Sequence, residues 1–197
     1  MNAVALSPER CAQPPKGAPA RAALQHQATV PVIETERLRL RAPRLDDLPL
    51  WTEIFAGPQS RGLKGPHGPD VAWTEFSTYS ACWMLHGFGL WSVETRDAQR
   101  LIGFVFIGLE WGDLEPELGY LFAPDGQGQG YATEAARAAR DWALEQMQTF
   151  VSYVSRSNDA SNRLAARIGA TRDLDAEAAI EAAEGSAPHV WRHGARV

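Results

Sequence analysis

The chain has 197 residues, of which 45% are hydrophobic, and this is enough to bury the core of one domain. Its formal net charge of -5 and its isoelectric point near 5.5 argue against general nucleic-acid binding, because proteins of that class carry a basic surface. No run of about 18 apolar residues occurs, so the sequence predicts no membrane-spanning helix.

The first part of the chain differs in composition from the rest. Residues 1–31 contain several prolines and many alanines without a sustained apolar stretch, which is typical of a flexible extension rather than a secretory signal. A basic targeting presequence stays open as an alternative. We place one folded domain at residues 32–197. The two cysteines, Cys11 and Cys82, indicate neither a disulfide framework nor a metal site, and the predicted location is the cytoplasm.

Strand and helix patterns alternate at the start of this domain. Residues 38–42 alternate apolar side chains with arginines at the period of two that is expected for a half-buried strand. A helix with one apolar side follows and ends at Gly57 and Pro58. Residues 59–71 are rich in glycine and proline, so they form either a lid or a simple connection. The aromatic residues from Trp73 to Trp83 recur at helical spacing and indicate core packing rather than an aromatic cage.

The central part of the chain predicts a sheet. Residues 90–94, 101–109 and 117–122 have the patterns of successive strands, and a tight turn joins the first two. These strands form an antiparallel meander. A long helix with alanines at helical spacing comes next, and small residues let a helix lie close to a sheet. Residues 151–154 then form the next strand.

A glycine-rich stretch lies between the third of these strands and the long helix. Residues 127–132 read Gln-Gly-Gln-Gly-Tyr-Ala. A helix N-terminus presents unpaired amides and a positive dipole end, so this loop could bind a pyrophosphate without a basic side chain. The spacing fits neither the dinucleotide-binding fingerprint nor the nucleotide-hydrolase loop, which needs a lysine followed by serine or threonine. A plain glycine-rich turn is the alternative.

Two blocks of sequence resemble one protein family. The spacing Gln127-x-x-Gly130-x-Ala132 is similar to the acyl-CoA pyrophosphate loop of the GNAT superfamily of N-acyltransferases. Downstream, Asn158-Asp159-Ala160-Ser161 leads into residues 163–170, a pattern that resembles the RimJ/RimL-like branch. The order of elements from about Ile33 to Arg192 also looks like that branch.

The resemblance implies an α/β fold of the α+β type. Its central sheet would be mixed but mostly antiparallel, splayed between its fourth and fifth strands and flanked by helices. Acetyl-CoA would be the cosubstrate, with no metal. Its pantetheine arm would pair with the backbone of the strand that the splay leaves open, and an amide near Leu121 or Phe122 would face the thioester carbonyl. The implied cofactor-binding residues are Leu121, Phe122, Ala123, Gln127, Gly128, Gln129, Gly130, Tyr131, Ala132, Thr133, Asn158 and Ser161.

The predicted reaction is direct attack of a primary amine on the thioester, which needs a base for the amine and an acid for the departing thiolate. The resemblance suggests Ser161 as the acid, Glu117 as the base, and Asn158 as a residue that holds pantetheine or orients water. Other interpretations stay open, because Asn158 and Ser161 could only cap a helix and Glu117 could simply face solvent. His189 and His193 could also titrate usefully.

Two further sets of residues are assigned structural roles. A buried thiol at Cys82 is expected to be structural rather than nucleophilic. The acidic residues near the C-terminus are expected to form a solvated face that could attract a cationic acceptor. These residues are Asp173, Asp175, Glu177, Glu181 and Glu184.

The sequence does not identify the acceptor. The resemblance suggests a protein N-terminus or a small-molecule amine. A non-catalytic acyl-CoA-binding or regulatory module is the alternative to an enzyme. A homodimer is also considered, because a strand edge around residues 189–192 could pair with a second chain.

Overall fold

The computed structural model describes residues 10–58, 60 and 65–195. The helices within these ranges are α1 (Ala18–Gln27), α2 (Leu48–Ala56), α3 (Pro69–Leu85), α4 (Tyr131–Gln146), α5 (Asp159–Arg167) and α6 (Leu174–Glu184). The strands are β1 (Ile33–Glu34), β2 (Leu38–Arg41), β3 (Leu90–Thr95), β4 (Leu101–Gly108), β5 (Glu117–Phe122), β6 (Thr149–Val154), β7 (Thr171–Arg172) and β8 (His189–Gly194). None of the helices described is long and apolar enough to cross a membrane.

The strands of the described chain form one eight-stranded sheet in the order β1-β2-β3-β4-β5-β6-β8-β7. Strands β3 to β5 are the predicted antiparallel meander, and β2 pairs with β3 in the same antiparallel sense. Strands β5 and β6 are parallel, and their register contains a single residue pair, Glu117 opposite Val151. The predicted splay is therefore present. Its strands are numbered one higher than expected because the short β1 precedes them.

Helices cover the two faces of the sheet. On one face, α4 packs with side chains of β2 to β5 in one hydrophobic cluster. On the other face, α2 and α3 form a second cluster, in which Trp51 is fully buried and stacks on Phe55 with ring centroids 4.7 Å apart. This three-layer arrangement leaves the carboxyl end of β5 between the helical layers, where the glycine loop begins.

Small side chains bring α4 close to the sheet. Ala135, Ala139 and Ala143 have no exposed surface, as their helical spacing predicts. Trp142 lies further along the same helix and contacts Trp91 edge-on at 5.1 Å. Both the alanines and Trp142 thus hold α4 against the sheet, and this packing fixes the first turn of α4 relative to β5.

The aromatic residues of α3 belong mainly to the core, as predicted. Phe76 is buried against Trp51, and Trp83 packs edge-on against Trp91 at 4.6 Å. Helix α3 starts at Pro69, so the predicted loop is shorter at its C-terminal end. Residues 59 and 61–64 lie outside the described ranges, and a lid there stays a prediction.

The N-terminal region contains a helix that the sequence analysis did not assign. Helix α1 has a proline in its first turn and no buried residue. It therefore adds little to the core, and the domain boundary at residue 32 stays a proposal.

Two predictions near the C-terminus are wrong. The acidic face is only partly solvated, because Asp173 is buried and accepts a hydrogen bond from Arg192 Nε at 2.6 Å, while Glu177 is buried and paired with Arg172. Asp175, Glu181 and Glu184 are exposed. Strand β8 is also no edge, since β6 and β7 flank it. The strand edge that was the reason for expecting a homodimer is therefore absent, and the homodimer stays an untested prediction.

Candidate active site

The glycine loop forms a cradle at the N-terminus of α4. Gly130 is the N-cap residue with φ +81°, and Gly128 has φ +74°, a region that favours glycine. No side chain caps this end of the helix, so its first amides are left for a ligand. Because the dipole adds positive potential there, the cradle is suited to a phosphate.

An ion pair that the sequence analysis missed ties the cradle to the start of the sheet. Arg37 Nε donates to Glu134 Oε2 at 2.7 Å, and Arg37 Nη1 donates to the Gln129 carbonyl at 2.9 Å. Thr35 Oγ1 also donates to Glu134, at 2.6 Å. Burial would raise the pKa of Glu134, but these hydrogen bonds outweigh burial and lower it. The guanidinium of Arg37 lies over the Tyr131 ring. The loop is thus fixed before any ligand arrives.

A cavity of about 800 Å³ opens from the cradle towards the splay. It also reaches the N-terminal end of α5. Most of the predicted cofactor residues line it, namely Leu121, Phe122, Gln127, Gly128, Gly130, Ala132, Thr133, Asn158 and Ser161. Ala123, Gln129 and Tyr131 do not. Ala123 is buried beneath the loop, whereas Gln129 and Tyr131 contact Arg37. The two sequence blocks therefore meet at one cavity.

The backbone of β5 offers hydrogen-bonding groups to this cavity. The Ala123 amide donates to β4, to the Ile102 carbonyl at 3.0 Å. Backbone direction alternates along a strand, so the amides of Tyr120 and Phe122 face the splay. The Phe122 carbonyl already accepts a hydrogen bond from Gln127 Nε2 at 2.9 Å. Of Leu121 and Phe122, the two residues proposed from sequence, Phe122 is the one whose amide faces the splay.

Asn158 and Ser161 are brought together at the start of α5. Asn158 is the N-cap, and its Oδ1 accepts a hydrogen bond from the Ser161 amide at 3.1 Å. The capping interpretation is therefore correct for Asn158, and both side chains also line the cavity. Because the cap involves only the backbone amide of Ser161, the Ser161 hydroxyl takes no part in it.

Tyr120 is a cavity residue that the sequence analysis did not name. Burial raises the pKa of its phenol, and contact with the Ser161 side chain opposes the rise. Tyr120 shares one face of β5 with Leu118 and Phe122, and this spacing of two could have identified it from sequence. Tyr120 and Ser161 both line the cavity, and the Tyr120 hydroxyl is buried without a hydrogen bond within the described part of the chain.

Glu117 occupies the other face of β5 and, like the two histidines, does not line the cavity. Its Oε1 accepts a hydrogen bond from the Tyr153 amide at 3.2 Å. Burial raises the pKa of Glu117 to about 8; the Tyr153 hydrogen bond opposes this, and the negative charges of Asp113 and Glu110 add to it. A carboxyl with a pKa near working pH can accept a proton. Because residues 117 and 120 are an odd number of positions apart, Glu117 and Tyr120 approach the splay from opposite faces.

His193 is fully buried. Its ring stacks on Phe150 at 4.8 Å, and burial lowers its pKa to about 4. His189 contacts Asn162 through Nδ1 at 2.8 Å instead of facing the cavity. Neither histidine lines the cavity.

The buried His193 makes a testable contribution to pH stability. Its pKa falls from 6.5 to about 4 on folding. The unfolded chain therefore binds more protons between these values, and stability falls as pH drops through this window. We expect the free energy of unfolding of the wild type, relative to His193→Phe, to fall by about 3 kcal/mol from pH 7 to pH 4. Urea denaturation at both pH values measures this, and an unchanged difference would rule out a neutral buried imidazole.

Cys82 is buried, as expected of a structural thiol. This burial raises the pKa of the thiol. Within residues 10–58, 60 and 65–195, no group of His, Cys, Asp and Glu side chains could hold a metal ion.

Comparison with known proteins identifies the family. The model of the acetyltransferase (GNAT) domain matches residues 37–171, which include the cradle and the start of α5. The chain belongs to the GNAT acetyltransferase family. Protein YkkB of Bacillus subtilis is 33% identical over 148 residues, which cover 70% of this chain and 83% of YkkB. The B. subtilis N-acetyltransferase YnaD is 31% identical over 80 residues, 40% of this chain and 47% of YnaD.

Solved structures of this family share the fold. An acetyltransferase from Agrobacterium tumefaciens is 35% identical with a TM-score of 0.73, and the match covers 84% of this chain and 95% of that one. RimL, a ribosomal L7/L12 α-N-protein acetyltransferase solved with coenzyme A, has a TM-score of 0.62 at 17% identity. The match covers 83% of this chain and 96% of the RimL chain. At that identity, the likeness to RimL shows the fold alone.

Proposed function

We propose that this GNAT protein is an N-acetyltransferase that moves an acetyl group from acetyl-CoA to a primary amine. The observation that carries the proposal is one cavity that joins the phosphate cradle, the open backbone of β5 and the Ser161 hydroxyl. A phosphate, a chain of amides and a thioester follow one another along acyl-CoA in the same order.

The chain's own groups would hold the cosubstrate in sections. The amides at the start of α4 would bind the pyrophosphate, and the Tyr120 and Phe122 backbone would pair with the pantetheine arm. The bound cosubstrate supplies an activated acetyl group. A Phe122 amide directed at the thioester carbonyl would stabilise the negative charge that develops on its oxygen.

Proton transfer would use both faces of β5. An acceptor amine is protonated near neutral pH, so Glu117 in its carboxylate form would take a proton before or during attack. The new bond joins the amine nitrogen to the acetyl carbon, and the bond between that carbon and sulfur breaks. Ser161, beside Tyr120, would donate a proton to the departing thiolate and take one from the nitrogen, which loses its second proton as the amide forms. Glu117 would then release its proton to solvent. The cycle needs no covalent enzyme intermediate.

The surroundings of Glu117 favour a cationic acceptor. The negative charges of Asp113 and Glu110 raise the pKa of Glu117. Tyr79, which is buried, donates a hydrogen bond to Glu110. Negative potential at this face would attract a protonated amine.

We further propose the RimJ/RimL-like branch, which Asn158-x-x-Ser161 supports. RimL acts on a ribosomal protein N-terminus. A protein N-terminus is therefore one acceptor to test here, beside small-molecule amines. The cytoplasm stays the predicted location.

Replacing Ser161 tests the proposed chemistry. We expect Ser161→Ala to lower kcat about 10-fold to 100-fold, because an acid for the thiolate is lost. The acetyl-CoA dissociation constant should stay within about twofold, because the cap on the Ser161 amide remains. Thiol release over a panel of peptide and small-molecule amines measures kcat.

The same panel separates an enzyme from a binding module. Acetyl-CoA binding by the wild type with no thiol release from any amine would favour the non-catalytic module. Release that is unaffected by Ser161→Ala would remove the serine from the mechanism.

A further inference from the structure

The point at which β5 and β6 separate is held by side chains. A parallel ladder that continued past the pair Glu117 and Val151 would join the Leu118 carbonyl to the Tyr153 amide. Both groups have side-chain partners instead. Ser152 Oγ donates to the Leu118 carbonyl at 2.8 Å, and the Tyr153 amide donates to Glu117 Oε1 at 3.2 Å.

Ser152 is in turn contacted by His193. The two side chains are 3.1 Å apart, from Ser152 Oγ to His193 Nε2. A serine hydroxyl has one proton, and Leu118 receives it, so the imidazole proton is assigned to Nε2. Nδ1 is buried and makes no hydrogen bond within the described part of the chain. Only 4% of Ser152 and none of His193 is exposed, so water does not replace these contacts.

We propose that Ser152, oriented by His193, is a positioning residue that keeps the β5–β6 splay open for the pantetheine arm of acyl-CoA. This inference rests on the proposed function. Without the hydroxyl, the Leu118 carbonyl would lose its partner, and a buried unpartnered carbonyl is unfavourable by about 1–3 kcal/mol. The Tyr153 amide is the nearest backbone donor in register to replace it. That exchange extends the ladder by one rung and narrows the opening next to Tyr120.

The proposal predicts an unusual combination of properties. A variant that lacks the hydroxyl gains a backbone hydrogen bond, which offsets much of the stability that the Ser152 contacts contribute, so its affinity for acyl-CoA falls by more than its stability. Ordinary damage to the core would instead lower stability and affinity together.

Ser152→Thr and Ser152→Val form a matched pair, because they add nearly the same volume and differ in the hydroxyl. We expect Ser152→Val to bind acetyl-CoA about tenfold more weakly than Ser152→Thr, while the two melt within about 3 °C of each other. Calorimetric titration of acetyl-CoA and thermal denaturation provide the two measurements. Ser152→Ala, which adds no volume, should weaken binding in the same direction.

Equal affinities in the Thr and Val variants would overturn the role of Ser152. The role of Ser152 would also be overturned if Ser152→Val lowers both stability and acetyl-CoA affinity while Ser152→Ala changes neither. If the wild type itself binds no acetyl-CoA, the acyl-CoA site fails and this inference fails with it. His193→Phe keeps a ring against Phe150 but removes the hydrogen-bond donor to Ser152. If the double variant His193→Phe/Ser152→Val loses no more affinity for acetyl-CoA than Ser152→Val alone, the two residues act through the same contact.

Discussion

Replacing Gly130 by aspartate should abolish most binding of acetyl-CoA. The residue caps α4, and the first carbon of a side chain at this position would lie 3.4 Å from Arg37 Nη2, which already pairs with Glu134. A carboxylate about 4 Å from a phosphate is repelled by several kcal/mol at the effective dielectric of a protein surface. We therefore expect affinity to fall at least about 100-fold, as measured by calorimetric titration.

Gly130→Asn is the matched control for this change. Asparagine has nearly the same size and also tolerates a positive φ, but it has no charge. We expect it to weaken binding about tenfold or less. The difference between the two variants therefore reports the repulsion of an anion. Wild-type affinity in the aspartate variant would show that no phosphate lies at α4.

Glu117→Gln should lower kcat about 100-fold or more, because it removes the proposed base while keeping its oxygen acceptor. The amide oxygen can still receive the Tyr153 hydrogen bond, so acetyl-CoA affinity should stay within about twofold. With a pKa of about 8, Glu117 becomes a carboxylate as pH rises, and wild-type kcat/KM should increase up to about pH 8. The variant should lose this rise.

Glu184→Gln is a control with the same charge change at an exposed position on α6, and its activity should equal that of the wild type. A Glu117→Gln enzyme with more than about a third of wild-type activity would eliminate Glu117 as the base.

Stability gives a second view of Glu117. Its pKa rises from 4.5 to about 8 on folding, so the stabilisation is complete below pH 4.5 and is lost as pH rises to 8. The melting temperature of the wild type relative to Glu117→Gln should thus decline between pH 5 and pH 9.

Local patterns predicted much of the fold. Strands β2 to β6 and helices α2 to α5 follow periodicities that their burial enforces, and the glycines of the cradle have the positive φ values that such a loop needs. Two short motifs were enough to identify both ends of the cavity.

The parts that the sequence could not predict depend on long-range contacts. Arg37 and Glu134 are far apart in the chain, and no local pattern marks them as partners. Asp173 and Glu177 have the pattern of a solvated helix start, yet Arg192 and Arg172 bury them. The role of His193 also depends on burial between strands, which its neighbours in sequence do not reveal.

Titration of acetyl-CoA into the wild-type protein is the decisive test of the proposed cosubstrate site. We expect one site per chain, with a dissociation constant between about 1 μM and 1 mM. S-acetyl-pantetheine, which lacks the pyrophosphate, should bind far more weakly. Absence of both binding heat and thermal stabilisation by acetyl-CoA would contradict the acyltransferase account.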